Sequence, residues 1–510
     1  MSELDAANQR IAELEEQLAE TRRQLDSLAR IVFGRKSERT PPSPIPGQMD
    51  LDLDLRKENA AIENAPPAKP KRRKGGSRKG RKTRAALLPA HLPVQEHVII
   101  PPEVKAAPEN WREIRREQTD FLERIAPQSI RLRFVRPVYV RKDNPLMAPV
   151  CAPAPAQVVP GGFLGPGFLA DMILGKYLHH QPLYRQAQIL MWDDGIELSR
   201  ATMCENVAAV ADMAYPVVRC MDQDMWLGGY VQLDLTPMRC LAREKHGGSF
   251  LGQMWVATQP GGDVIFTWDQ SKAALVAERI IPEWFAGTLQ CDGSSEIACF
   301  LAGGKGRRRP PPPIRRAGCF AHVRRKFFEA AKAGCPIASR LVKIINVLYR
   351  IEDVARKERF SIQQRLELRR RRAKRVVNGL RRRIDATILA VRPKSPVGKA
   401  CLYALGQWNS LLVYLEDGRI EIDDNSVENA IRPSALGKKN YLFIGHVGAG
   451  QRAATLYSLL GSCLRRGVNP RAYLRWLFER LPTATNQTVH ELTPAAYAAL
   501  ECAPVPAIAA

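Results

Sequence analysis

No apolar run in the 510 residues reaches the roughly 18–20 residues that a membrane span needs. The first residues are charged helix formers, not a basic patch leading into an apolar stretch. A signal peptide is therefore not expected, and a cytoplasmic protein is the default. Eleven cysteines are scattered from 151 to 502, and no two form a C-x-x-C pair. An odd, unclustered set suggests neither a disulfide framework nor a thiolate zinc site; reduced and mostly buried thiols are expected. Acids are scarce beside bases, with 52 Asp and Glu against 77 Lys and Arg, a net charge of +25. Such an excess favours a polyanionic partner, because neutralised phosphates release counterions. Charge alone does not separate DNA from RNA or an acidic membrane, but nucleic acid is the favoured reading.

What is present divides the chain. Leu4, Ile11, Leu18, Leu25 and Val32 are spaced by heptads, with Ala7, Leu14, Thr21 and Leu28 at the second seam position. Four heptads with charged flanks predict a coiled coil over 1–38, and self-association through it is favoured over a lone packed helix. Residues 39–95 read as a Pro-rich linker followed by a flexible basic arm, KPKRRKGGSRKGRKTR at 69–84. Its Lys71, Arg72, Arg73, Lys74, Arg78, Lys79, Arg81 and Lys82 are candidate phosphate contacts; the plainer alternative is a solvated linker. A small β-containing module is expected over 96–160, and a helical region over 161–225. His179 and His180 have no nearby acid or thiol and read as packing or surface residues.

From 226 the pattern turns to strands. YVQLDL (230–235), FLGQMWVAT (250–258) and VIFTWD (264–269) read as strands, the last two joined by the turn QPGGD. The Thr-Pro after Leu235 is expected to end the first strand, leaving Asp234 at its open end. Alternation puts Tyr230, Gln232 and Asp234 on one face, and Val231, Leu233 and Leu235 on the other. The short strand TLQCDG (288–293) repeats the Q-x-D ending with Gln290 and Asp292. If the two strands are neighbours, their aspartates converge. A basic helical stretch follows over about 337–416, with RLELRRRRAKRVVNGLRRR at 365–383. EIDDNSVENAIRP (421–433) predicts a turn and a short helix stopped by Pro433, carrying Glu428 as a candidate third acid. More helix is expected over 447–510.

Paired carboxylates at a sheet edge suit Mg²⁺ or Mn²⁺, hard ions that take oxygen ligands and bind phosphates. Each acid also has a plainer role. A strand-end Asp is a common turn former. Glu428 stands where a capping box with Asn425 would put it, and four residues before Arg432.

At these residues the chain resembles the DDE transposases of the insertion-sequence sixty-six (IS66) group. FGRKSE (33–38), LPAHLP (88–93), GKYLHHQPLYRQ (175–186), LQCDG (289–293), GCFAHVRRKFFEA (318–330), DDNSVENAIRPSALGKKNYLFIGH (423–446) and GSCLRRGVNPRAYL (461–474) match in order. The resemblance implies an α/β, RNase H-like catalytic domain over 226–446, interrupted by the helical insertion. It implies Asp234, Asp292 and Glu428 as catalytic, metal-binding acids for Mg²⁺ or Mn²⁺, which nick element ends and join the 3′ hydroxyls to target DNA. It also implies DNA contacts by His322, Arg324, Arg325 and Lys326, by Arg432, Lys438 and Lys439, and by the 161–225 region. Terminal inverted repeats, target DNA, a second copy of the chain and accessory proteins of the same element are the partners implied.

The chain departs from the family in places. The first motif reads D-L-T-P, with Leu235 where Glu is usual; Ser294 and Asp424 stand where an aromatic and Asn are usual. Many members carry a cysteine zinc module near 105–145. Here VYVRKDNP (138–145) has none, so 96–160 reads as a degenerate module and no zinc is expected. A non-catalytic DNA-binding derivative and a nuclease on the same fold are the alternatives.

Overall fold

The structure, a computed structural model, describes residues 156–242, 248–303 and 313–502, with Ser129 and the strand pieces 138–139 and 150–151. The expected coiled coil, linker and basic arm lie outside the described residues, as does most of the 96–160 module. What is described of that module is β1 (Val138–Tyr139) paired antiparallel with β2 (Val150–Cys151).

Three helices come first: α1 (Pro166–Tyr177), α2 (Leu183–Asp194) and α3 (Arg200–Leu227). The chain breaks between α1 and α2 because Pro182 disfavours helical backbone at the residue before it. The Gln186 amide bridges the break by donating to Met172 O and Gln181 O.

A five-stranded sheet follows, in the order β5-β4-β3-β6-β7. Its strands are β3 (Tyr230–Ala242), β4 (Gly248–Thr258), β5 (Val264–Asp269), β6 (Thr288–Gln290) and β7 (Arg315–Ala317). β3, β4 and β5 are antiparallel, whereas β6 and β7 continue the sheet in parallel from β3. Two short helices, α4 (Ala274–Ile280) and α5 (Ser295–Leu301), flank β6 in the chain. The two faces of β3 belong to different cores, as the alternation predicts. Val231 and Leu233 pack into one, and Tyr230 packs with the helical insertion in the other.

One expectation fails here. β3 does not end at Asp234 but runs on through Thr236 and Pro237 to Ala242, paired with β4 throughout. A proline is tolerated in a strand where its missing N–H would face away from a ladder. Arg239 O and Leu241 N bond Ile444, and Pro237 O accepts from Lys438 Nζ. The same-side backbone groups of β3 thus point away from β4, and Pro237 falls on that side. β6 stops at Gln290, opposite Gln232, so Asp234 lies just beyond the end of its parallel neighbour.

Helix α6 (Phe320–Lys332) leads into the insertion. The insertion comprises α7 (Pro336–Lys357), α8 (Ile362–Leu368), a π-helical turn at Arg369–Ala373, α9 (Lys374–Ala390), α10 (Pro396–Gly406) and α11 (Trp408–Leu412). Its arginine run is not a uniform solvated face. The widened turn buries Arg369 completely, and Glu352 takes its Nε and Nη2 at 2.7 and 2.8 Å. Arg365 donates to the same Glu352 and bidentately to Glu421.

Helix α12 (Asn425–Tyr441) returns to the sheet. Pro433 does not stop it: the helix continues for two more turns. Losing one hydrogen bond is offset by a buried face of Val427, Ile431, Ser434 and Gly437. Then α13 (Val447–Arg466), α14 (Pro470–Arg480) and α15 (Pro494–Cys502) close the chain. α13 covers the sheet edge at β5, where Ser462 and Ser458 hydroxyls accept the Val264 and Phe266 N–H groups. An edge so covered cannot pair with another strand.

Candidate active site

The parallel register sets the geometry. Because Gln232 lies opposite Gln290, the residues two further on, Asp234 within β3 and Asp292 just past the end of β6, come close enough for their charges to interact. Beneath them the glutamines form a brace. Gln232 Nε2 donates to Gln290 Oε1 at 2.9 Å and to Asp423 O at 3.0 Å, and Gln290 Nε2 donates to Gly318 O and Glu421 O. The Tyr230 hydroxyl donates to Gln290 Oε1 and accepts from Glu421 N. Three hydrogen bonds to backbone thus dock residues 421–423 across β3 and the end of β6. Glu428 follows in the first turn of α12.

Glu428 is not held in the plainer ways that the sequence allowed. α12 begins at Asn425 with Asp424 as its N-cap and no side-chain cap bond, so Glu428 is not the third residue of a capping box. Its charged neighbours come from α6: His322 Nε2 at 3.6 Å and Arg325 Nη2 at 3.7 Å. Asp292 does form a turn, its Oδ1 accepting from Ser294 N at 2.8 Å, and Arg316 fixes its carbonyl. Gly293 sits close against α10, where a Cβ would lie 2.9 Å from the Tyr403 hydroxyl and the tyrosine would have to shift.

The electrostatics are those of crowded anions. Burial pushes the Asp234 carboxyl up to about 7; the Leu235 N–H opposes this and the Asp292 and Glu428 charges add to it. Asp424 is also pushed up to about 7, again by burial first, then by Glu428, Asp234 and Asp292 against a Cys319 hydrogen bond. Burial lowers the His322 imidazole against the pull of Asp292 and Glu428.

The candidate cations divide. Arg325 and Lys326 are exposed on α6, whereas Arg324 is half-buried and gives its Nε to Asn346 Oδ1 of α7 at 2.7 Å. On α12, Arg432 and Lys439 are exposed, but Lys438 is half-buried and donates to Thr236 Oγ1 and Pro237 O on β3. Lys71 to Lys82 lie outside the described residues. The glutamine pair, Tyr230 and Glu421 are the site components that sequence reading left without a role. Their signal was the repeated Q-x-D.

A mixed α/β protein with carboxylates gathered where a long strand outruns its short parallel neighbour is the class that fold and site define. The chain belongs to the IS66 transposase family. Residues 161–452 match the model described as "Transposase IS66 family", residues 458–495 match "IS66 C-terminal element", and residues 13–96 match "Transposase C of IS166 homeodomain". Two relatives come from Sinorhizobium fredii (strain NBRC 101917 / NGR234). "Uncharacterized protein y4jD" is 31% identical over 508 residues, covering 95% of each chain. "Uncharacterized protein y4qI" is 30% identical over 434 residues, covering 83% of this chain and 76% of its own. No helix among the described residues is long and apolar enough to cross a membrane.

Proposed function

We propose that the chain is an active DDE transposase, which nicks the ends of its element and joins the resulting 3′ hydroxyls to target DNA. The observation that carries this is the convergence of Asp234, Asp292 and Glu428, with mutual repulsion helping to hold Asp234 near neutral pKa. Three carboxylates offer oxygen only, the donor type that Mg²⁺ and Mn²⁺ take, and a divalent cation would relieve their repulsion. Asp234, Asp292 and Glu428 would hold such ions, and the chemistry supplied there would be activation of the attacking hydroxyl and stabilisation of the leaving oxygen.

The chain's own residues do the rest. The Gln232–Gln290 brace fixes the 421–428 segment so that Glu428 meets the two aspartates. Arg325 and Lys326, exposed beside Glu428, contact the phosphodiester, and Arg432 and Lys439 extend the contact along α12. The sheet, three antiparallel strands followed by two parallel ones, supports an RNase H-like reading of 226–446. The basic arm, the segment matching a homeodomain description and the α1–α3 region bind DNA sequence and backbone, and the heptads join two copies.

The test is purified protein with labelled terminal inverted repeats, a target plasmid and Mn²⁺, scored for binding, nicking and joining. Joined product is the expected result. Binding without metal-dependent nicking, or nicking without joining, would sink the reading.

A further inference from the structure

Behind Glu428 lies a second group of ligand atoms that the transposase chemistry does not use. Cys319 precedes α6, His322 sits in its first turn, and Asp424 precedes α12. Cys319 Sγ lies 2.9 Å from Asp424 Oδ1, His322 Nδ1 lies 3.3 Å from that sulfur, and Nδ1 lies 3.7 Å from the same carboxylate oxygen. Tetrahedral zinc bonds of the usual lengths separate thiolate, imidazole and carboxylate atoms by about 3.3–3.6 Å. The two edges at Nδ1 lie within about 0.3 Å of this, and the Sγ–Oδ1 edge, now a hydrogen bond, must open by about 0.7 Å to hold such an ion.

A second observation points the same way. The Asp424 side chain is fully buried, yet its Oδ2 has no hydrogen-bond partner. A bare buried carboxylate oxygen is costly, and a cation beside it removes the cost.

The geometry points to a site for a thiophilic divalent cation, Zn²⁺ by its sulfur, nitrogen and oxygen donors, held by Cys319, His322 and Asp424. Such a mixed set does not suit Mg²⁺, which takes oxygen. On binding, the thiol proton that Sγ now shares with Asp424 Oδ1 leaves to solvent, and the thiolate takes the metal. Ligation through Nδ1 confines the remaining ring proton to Nε2, which faces Glu428 Oε1 at 3.6 Å. His322 then serves as a positioning residue for Glu428; this last step rests on the transposase reading, whereas ligation does not.

The experiment uses the full chain, reduced and stripped of metal, titrated with Co²⁺ in place of zinc. A near-ultraviolet thiolate-to-cobalt band with the visible bands of a tetrahedral site is expected. Zn²⁺ should displace it and a large excess of Mg²⁺ should not. Cys319→Ser should remove the charge-transfer band, and the isosteric Asp424→Asn should weaken cobalt binding by about tenfold or more, or about 1.4 kcal/mol. An absent band in the wild-type chain, or one unchanged in Asp424→Asn, overturns the proposal. If Cys319→Ser fails to fold, Asp424→Asn decides alone. Neither readout needs DNA, so failure here is separate from failure to join ends.

Discussion

Arg369 and Glu352 in the insertion, and Asp234 and Asp424 at the sheet, are all ionisable groups removed from water, but their surroundings differ in kind. Arg369 is 0% exposed, with Nε and Nη2 on Glu352 and Nη1 on the carbonyls of Tyr414 and Asp417. Burial works to raise the Glu352 carboxyl, yet Arg369 and Arg365 outweigh it and hold the group below the ordinary carboxylate range. Around Asp234 and Asp424 burial, and then the charges of other acids, push both carboxyls up to about 7, with Arg325 offsetting only part of this at Asp234. One cluster is internally neutralised, and the other is short of positive charge. Groups satisfied within the chain support the fold, whereas a crowded set with perturbed carboxyls is the kind found at functional sites.

The two regions also touch. Glu421 closes the insertion's ion network through Arg365 and Arg356, while its backbone is gripped by Gln290 and Tyr230. The insertion thus anchors the segment that delivers Glu428. A helical insertion that looks like an interruption of the sheet domain is, on this wiring, a brace for the segment that carries Glu428.

The sharpest way to break the contrast is Asp234→Asn. Losing one of three acids should lower joining by about a thousandfold or more, in line with the several kcal/mol that metal-assisted catalysis supplies. DNA binding, read by gel shift, should stay nearly intact. Parallel loss of binding would make Asp234 structural. Glu352→Ala should do the reverse, leaving the acids in place but stranding a buried guanidinium. A loss of about 3–5 kcal/mol in denaturant unfolding is expected. A change under 1 kcal/mol, on the scale of an exposed pair, would show that the network is not what holds the insertion.

Gln290→Ala tests the bridge between the regions. It leaves the carbonyls of Gly318 and Glu421 without their donor, at a cost of about 2–3 kcal/mol. A misplaced Glu428 should lower joining by about a hundredfold. Stability lost with joining unchanged would remove the brace from the mechanism.

How much of this was legible in the sequence follows from range. The β4–β5 hairpin, the alternation of β3 and the Q-x-D pair are local, and alternation carries them. The length of β3 was not, because Thr-Pro reads as a stop unless one knows that β6 ends at Gln290 and frees that side. Pro433 misled in the same way, since a packed face outweighs one missing bond. Nothing in RLELRRRRAKR says which arginines turn inward; the acids that hold Arg365 and Arg369, Glu352 and Glu421, are 13 to 56 residues away. Cysteine spacing suggested no thiolate zinc site, and the meeting of Cys319 with Asp424 across 105 residues lies beyond what spacing can show.

The raised Asp234 carboxyl gives the contrast a pH dependence. A carboxyl whose folded value exceeds its unfolded one favours the fold while protonated, and that stability is lost as pH rises from about 4 through about 7. In EDTA the melting temperature of the wild type should therefore fall between pH 5 and 8, on the order of a few degrees. Asp234→Asn should flatten that fall, and Mn²⁺ should raise melting more at pH 8 than at pH 5. Equal stabilisation at both values would detach the ion from these acids.

The smallest effect is expected from Leu235→Glu, which restores the acid usual in the family's first motif. Leu235 lies opposite Trp255 on β4 and packs, partly buried, against the core that holds Val231 and Leu233. What it gives the site is its backbone N–H, 2.7 Å from Asp234 Oδ1, and that bond does not depend on the side chain. A glutamate there would trade apolar contact for a half-buried charge at about 1 kcal/mol, without adding a ligand on the side of the aspartates. Joining should stay within about threefold of the wild type. A gain beyond tenfold would mean that β3 turns its 235 side chain toward the acids when DNA is bound, and that the cluster wants a fourth carboxylate.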